Sequence, residues 1–306
     1  GRLENPGLAA LARVARIGEP LGPFHFSFLI GPRINAGGRI GDAALGSRLL
    51  ATDDAVEAAA IAETLDRLNQ ERQAMENAML EQARAEADAE LVRGAGPAVL
   101  VTGSEEWHPG VVGLLASRLK DHVRRPVFAI AFGVDGVGTG SGRSIAGFDL
   151  GRLVREAAEK GLIVKGGGHA MAAGITIERT RLGDLRAFFE ERAVVEVTRL
   201  NSEETLKIDA ALSAEGATVE LLDTLEQAGP YGAGHPAPVL VLPRHRVTDI
   251  RLVGNGHLRV GLRSEMGGSL QAMAFRAENS ALGAFLAASQ GQTVHVAGML
   301  SSNFWD

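Results

Sequence analysis

Four side chains suited to phosphate chemistry lie inside two glycine-rich runs. Ser141, Arg143 and Ser144 fall in Gly138-Thr-Gly-Ser-Gly-Arg-Ser144, and His169 falls in Gly166-Gly-Gly-His-Ala-Met-Ala-Ala-Gly174. Hydroxyls donate to anionic oxygens, a guanidinium offers a planar two-pronged fork, and an imidazole donates a hydrogen bond or a proton. Glycine lacks a Cβ, so the backbone of Gly166, Gly167 and Gly168 can bend sharply and bring its N–H groups close to a ligand. The second run reads as a tight turn, and the first follows a turn at Gly133–Gly138 into a strand over Thr139–Ile145. The plainer alternative is a pair of turns around a core histidine. A dinucleotide fingerprint does not fit, because its third glycine falls where Arg143 stands.

A third run, Gly31-Pro-Arg-Ile-Asn-Ala-Gly-Gly-Arg39, sets Arg33, Asn35 and Arg39 beside flexible backbone. It reads as a loop whose long polar groups suit phosphates and sugar edges, or as an ordinary solvated loop. GGGHAMAAG with an upstream GSGRS resembles the DHHA1 domain of the DHH phosphoesterase superfamily. With the 31–39 run and Glu105-Glu-Trp-His-Pro-Gly-Val-Val-Gly113, nearly the whole chain resembles the RecJ single-strand DNA exonucleases.

That resemblance implies a metal-dependent 5′→3′ exonuclease for single-stranded DNA, acting in repair and recombination. Ser141 and Arg143 would hold a terminal 5′ phosphate with Arg33 beside it. His169 and its glycines would sit over the scissile phosphate. Partners implied are single-stranded DNA with a 5′ end, a single-strand-binding protein and a helicase, met by a monomer. The family's Mn2+ or Mg2+ is held by a DHH domain upstream of the 31–39 run. This sequence has no Asp-His-His, so the ligands are expected outside it and the chain alone is expected to be inactive. Two other readings stay open: a DHH/DHHA1 phosphodiesterase for oligonucleotides or cyclic dinucleotides, and a non-catalytic nucleic-acid-binding module.

Bulk properties set bounds. The 306 residues are 45% hydrophobic and 22% charged, enough for about two cores. Cysteine is absent, which excludes disulfides and thiolate metal sites and fits a reducing cytoplasm. No stretch reads as a membrane span or a signal peptide. The net charge of −6 is concentrated in residues 53–93, where 11 acids face 4 arginines. The chain opens on Gly1 and stops at Ser301-Ser-Asn-Phe-Trp-Asp306 directly after a strand pattern, which reads as a piece of something longer.

Positioning these groups takes an α/β plus all-β architecture in four parts. Residues 1–50 read as the end of a DHH domain, with a helix near 7–16 and strand-like alternation over 24–30. Residues 51–94 read as one connecting helix, capped by Thr52 and carrying the stripe Ile61, Leu65, Leu68, Met75, Met79. Residues 95–198 alternate strand and helix as an α/β DHHA1 domain. Residues 199–306 read as a truncated OB-like β-barrel, with strands at 239–242, 246–253, 257–263, 269–275 and 293–300 and a Gly254-Asn-Gly256 hairpin turn. In it, Arg244, Arg246, Arg251, Arg259 and Arg263 suit tracking a strand backbone. His235, His245 and His257 lack neighbouring acids and read as structural or surface residues, and Trp107 and His108 at the start of a helix read as structural.

Overall fold

In a computed structural model, described over residues 3–18, 21–92, 96–203, 205–232 and 234–302, the chain forms two compact units, Gly1–Glu204 and Thr205–Asp306. The boundary expected at residue 198 falls inside a helix, and residues 303–306 of the terminal run, like Ala233, lie outside the described set.

The first unit begins with α1 (Pro6–Val14), whose Asn5 side chain accepts from the Leu8 N–H as a cap. Residues 25–40 are helical, not the strand and loop expected. A wide π turn over His25–Ile30 runs into α2 (Gly31–Ile40), and the Gly31 N–H reaches back five residues to the Phe26 carbonyl. The cause is Pro32, which has no N–H to give and whose ring needs room in the preceding turn. The apolar residues read as alternating lie instead on a helix, with Ile30 and Ala36 buried and Phe24 and Phe28 exposed.

After α3 (Ala44–Ala51) comes α4 (Ala55–Val92), 38 residues or about 57 Å of unbroken helix. Asp54, not Thr52, caps it: its Oδ1 accepts from the N–H groups of Val56 and Glu57, while Thr52 donates to Glu57. One side of α4 serves two cores. Ile61, Ala62, Leu65 and Leu68 pack with Leu11, Ile30, Ala36 and Leu49. Met79, Ala83 and Ala87 pack with Trp107, Leu115 and Leu119. Between them the stripe turns polar, with Asn69, Arg72 and Glu76 buried. Met75 points away at 40% exposure, one residue off the line through 72, 76 and 79.

The α/β layer is a five-stranded sheet in the order β1-β2-β3-β5-β4, formed by β1 (Leu100–Ser104), β2 (Val127–Phe132), β3 (Val137–Arg143), β4 (Lys165–His169) and β5 (Ala172–Glu178). Only β1 and β2 run parallel. On one face α6 (Leu150–Glu159) and α7 (Leu182–Ser202) close a core with Phe128, Ile130, Ile175 and Ile177. On the other, α5 (Val112–Val123) and α4 cover β1 and β2. The outer edge of β1 is pinned by side chains: Glu190 accepts from the Ala98 N–H, and Arg186 donates twice to the Val101 carbonyl.

The first glycine run is strand β3, where a strand over Thr139–Ile145 was expected, and the second is a hairpin of β4, a turn at Ala170-Met171 and the start of β5. Gly138, Gly140 and Gly142 point into the α6/α7 core, where an added Cβ would lie 2.5–2.8 Å from Ile130, Phe132, Ile175 or Phe128. The strand needs glycine there for room, while Thr139, Ser141 and Arg143 alternate onto the opposite face.

The second unit is a curled half-barrel, β10-β7-β8-β9, formed by β7 (Leu240–Val253), β8 (His257–Arg263), β9 (Ser269–Ala274) and β10 (Thr293–Gly298). A short β6 (Ala210–Ala211) pairs with the start of β7, and α8 (Val219–Gln227) and α9 (Ala281–Ala288) complete the unit. The two strands expected over 239–253 are one long strand, and α9 was not foreseen. A bulge between Val247 and Asp249 bends β7, and the core holds Val247, Leu258, Val260, Leu262 and Leu286.

Candidate nucleic-acid interface

In the first unit, register lays out a half-covered sheet face. Ser141 of β3 stands opposite Gly174 of β5, which stands opposite Gly167 of β4. Arg143 stands opposite Ala172, which stands opposite His169. Directly paired residues share a face, so Ser141, Arg143 and His169 border a floor made of Gly174 and Gly167. Two strand spacings separate Arg143 from His169, about 10 Å at the backbone. A Cβ on Gly167 would meet nothing within 4 Å, so this floor is open.

The covered end of the face is charged. Arg143 donates from Nη1 to Ser141 Oγ at 2.9 Å. The start of α5 presses on both, since a Cβ on Gly113 would lie 3.1 Å from Arg143 Nη2 and 3.2 Å from Ser141 Oγ. Arg39, in the last turn of α2, donates to the Gly110 carbonyl at 3.3 Å just ahead of α5. Burial, and then the positive charge of Arg39, lower the pKa of the Arg143 guanidinium from its usual value. Among the described residues neither arginine has an ion-pair partner. Two like charges, partly buried and unneutralised beside a hydroxyl, form a site that an anion would stabilise.

The other sequence-derived candidates divide. Asn35 lies one helical turn before Arg39 and is exposed on the same side of α2. Arg33 faces elsewhere and is engaged, pairing with Asp66 of α4 at 2.7 Å and donating to the Leu29 carbonyl. Ser144 is buried and donates to the Phe148 carbonyl at 2.8 Å, closing a turn. Gly166 and Gly168 face the packed side, where added Cβ atoms would meet Ile163, Val154 and Ala173, so only Gly167 of the three floors the open side. His169 is exposed at the end of β4. No group of three His, Asp or Glu side chains that could hold a metal ion occurs among the described residues.

Sequence reading underestimated the start of α5. Trp107 is buried and donates from Nε1 to Gln82 of α4 at 2.9 Å, anchoring the 105–110 loop to the long helix. The loop in turn meets α2 backbone to backbone at Gly110, where a Cβ would fall 1.9 Å from the Arg39 carbonyl oxygen. The signal available was the Trp-His-Pro-Gly run directly before a helix.

The second unit carries its own basic face. Arg246 stands opposite Arg263, and Arg251 opposite Arg259. The bulge in β7 puts Arg246 and Arg251, five residues apart, on one side, away from the core side chains of β8. Like charges directly opposite one another destabilise a bare sheet, and a polyanion relieves them. Arg251 also pairs with Asp249, and Arg244 with Glu265. The three histidines are structural: His245 Nε2 accepts from the Ala214 N–H, His257 from the Arg276 N–H, and His235 bonds to the Ala228 carbonyl.

Two domain models match the chain. Residues 96–194 match the DHHA1 domain model and residues 208–306 match the RecJ OB domain model. The single-stranded-DNA-specific exonuclease RecJ of Dickeya dadantii is 38% identical over 273 residues, 87% of this chain and 46% of that protein. The RecJ of Bacillus subtilis is 32% identical over 286 residues, 91% of this chain and 35% of that protein. A crystal structure of RecJ in complex with Mn2+ from Thermus thermophilus superposes with a TM-score of 0.78 at 31% identity, covering 99% of this chain and 42% of that one. The chain therefore spans about half the length of the curated relatives it matches.

Proposed function

We propose, from the premise that this chain belongs to the RecJ family of DHH/DHHA1 phosphoesterases, that it is the strand-binding portion of a 5′→3′ exonuclease that hydrolyses single-stranded DNA. One observation carries the reading: Arg39 and Arg143 lie close together with no ion-pair partner among the described residues, beside Ser141, at the head of an open glycine floor. That arrangement suits a terminal phosphate. Its oxygens take the guanidinium forks and the hydroxyl, and the next nucleotides lie along Gly174 and Gly167 toward His169. A capped end fixes how far a strand enters, which gives a 5′→3′ polarity. His169 would donate toward the phosphate being cleaved. By themselves, the arginine pairs of the half-barrel would bind single-stranded DNA through its backbone, with little base preference.

Phosphodiester hydrolysis in such an enzyme draws on divalent metal, and solved RecJ structures from Thermus thermophilus carry Mn2+ and Mg2+. The described residues of this chain do not fit that role, since no three potential ligands converge. The metal ligands are inferred to lie outside the described residues of this chain. In the intact cytoplasmic enzyme, acting as a monomer, strands would arrive from a helicase and a single-strand-binding protein. The RecJ OB match favours this reading over an oligonucleotide or cyclic-dinucleotide phosphodiesterase.

The test compares binding of 5′-phosphorylated and 5′-hydroxyl single-stranded DNA to this chain and to Arg143→Ala, with Mn2+ present and cleavage followed in parallel. The expected result is tighter binding of the phosphorylated strand, lost in the variant, without cleavage. Equal binding of both strands by the unmodified chain would leave a generic binding module. Cleavage that persists through purification would mean that these residues hold metal after all.

A further inference from the structure

His108 sits where the Trp-His-Pro-Gly loop, α2 and the anion site meet. Its carbonyl receives the N–H groups of Val111 and Val112, which starts α5. Its ring Nδ1 receives the Gly110 N–H at 3.1 Å. An imidazole nitrogen that accepts cannot carry a proton, so the neutral ring is the Nε2–H tautomer, with a single donor on its far side. Pro109 follows and has no N–H to compete.

That ring adjoins Gly110, and Gly110 and Gly113 lead to the groups of the anion site. Gly110, which His108 caps, has its carbonyl bonded to Arg39 and its backbone against the Arg39 carbonyl. Gly113, three residues on, lies against Ser141 and Arg143. His108 is half-buried. The start of a helix adds partial positive charge on the same side.

We infer that His108 is a further phosphate-binding residue of this site, giving its Nε2–H to the terminal phosphate held by Arg39 and Arg143. The inference rests on the phosphate-pocket reading above. It adds a neutral, directional donor to two cations. Guanidiniums attract any phosphate, and a fixed donor at a terminal oxygen helps select a monoester end over a diester within the chain.

Two conservative substitutions separate the jobs of the ring. Asparagine places a side-chain oxygen near the position of Nδ1 and keeps the Gly110 contact but has no group at Nε2. Glutamine places an amide N–H near Nε2 and gives up the Gly110 contact. The measurement is fluorescence anisotropy of 5′-phosphorylated and 5′-hydroxyl deoxyoligonucleotides with this chain, His108→Asn, His108→Gln and Arg143→Ala, after melting curves on each. His108→Asn should lose on the order of 10-fold of the preference for the phosphorylated strand, one charge-assisted hydrogen bond. His108→Gln should keep most of it.

The reverse order, asparagine tolerated and glutamine not, would reduce His108 to a turn cap and overturn the inference. So would retention by both variants, or equal loss by both at unchanged melting temperature. If the unmodified chain shows no preference, the pocket reading itself fails, and Arg143→Ala reports that separately. Should the variants melt early, 15N spectra of the histidines in the unmodified chain decide. The His108 Nε2 signal should move on adding the phosphorylated strand and stay still with the hydroxyl strand, and a signal unmoved by both overturns the inference.

Discussion

Arg143 donates from Nη1 to the Oγ of Ser141 at 2.9 Å, two residues back along β3 and on the same face. The hydroxyl holds the fork in place before any ligand arrives. Ser141→Ala should therefore weaken binding of a 5′-phosphorylated strand by about 1 kcal/mol, roughly 5-fold. Combined with Arg143→Ala it should cost less than the sum of the two, because besides meeting the phosphate the hydroxyl holds the arginine's fork. Titrations of the single and double variants check this, and full additivity would show that the two groups bind independently.

The glycines should separate by face. Gly142→Ala drives a methyl to 2.5 Å from the Phe128 ring and should cost about 1–3 kcal/mol of stability. Gly167→Ala meets nothing within 4 Å and should melt with the unmodified chain. It nonetheless narrows the open floor, so it should bind single-stranded DNA less tightly. Calorimetry and binding on the same samples check both halves.

The waist of α4 gives a third expectation. Arg72 pairs with Glu76 at 2.5 Å, both nearly buried, with Asn69 and Arg118 completing the cluster. Removing one partner, as in Glu76→Ala, leaves a buried charge unpaired and should cost about 3–5 kcal/mol. Replacing both, Arg72→Met with Glu76→Leu, should cost far less or even stabilise. Denaturant unfolding of the three proteins checks the contrast.

Acid should act on the half-barrel unit at Glu215. The Ser264 hydroxyl first, then the Glu215 N–H itself, the Ser213 hydroxyl and the Gly268 N–H hold its carboxyl at a pKa of about 2. The folded value is below that of an unfolded glutamate, so the unfolded chain binds the extra proton. The contribution is complete above about pH 4.3 and is lost as pH falls through about 2. The stability gap between the unmodified chain and Glu215→Gln should shrink over that window and stay level from about pH 5 to 7, which pH-dependent unfolding of both proteins measures.

Much of this was legible from residue order. The long helix declares itself by charge and by the stripe from Ile61 to Leu68, and strand–helix alternation marks the α/β layer. The second glycine run was read as a turn because glycine argues for turns on its own propensity; it does turn at Ala170-Met171, but Lys165–His169 pair with β5 as a strand. In β3, legible as a strand from the period-two spacing of Thr139, Ser141 and Arg143, the glycines answer to Phe128, Ile130 and Ile175 across the sheet, which no local window contains. Phe24–Ile30 erred the other way: a period-two pattern was overridden by a helix that widens ahead of Pro32. Arg33 and Asn35 are two residues apart, yet only the fold shows that Asp66 claims the first.

The alternation along β3 has an evolutionary consequence. Even positions answer to the core and are closed to change, while odd positions answer to the opposite face, where 141 and 143 also meet the start of α5. Residues 139, 141 and 143 can thus be exchanged without renegotiating the α6/α7 core, and a descendant could acquire a different ligand by changing side chains on one face of the strand within the room α5 leaves.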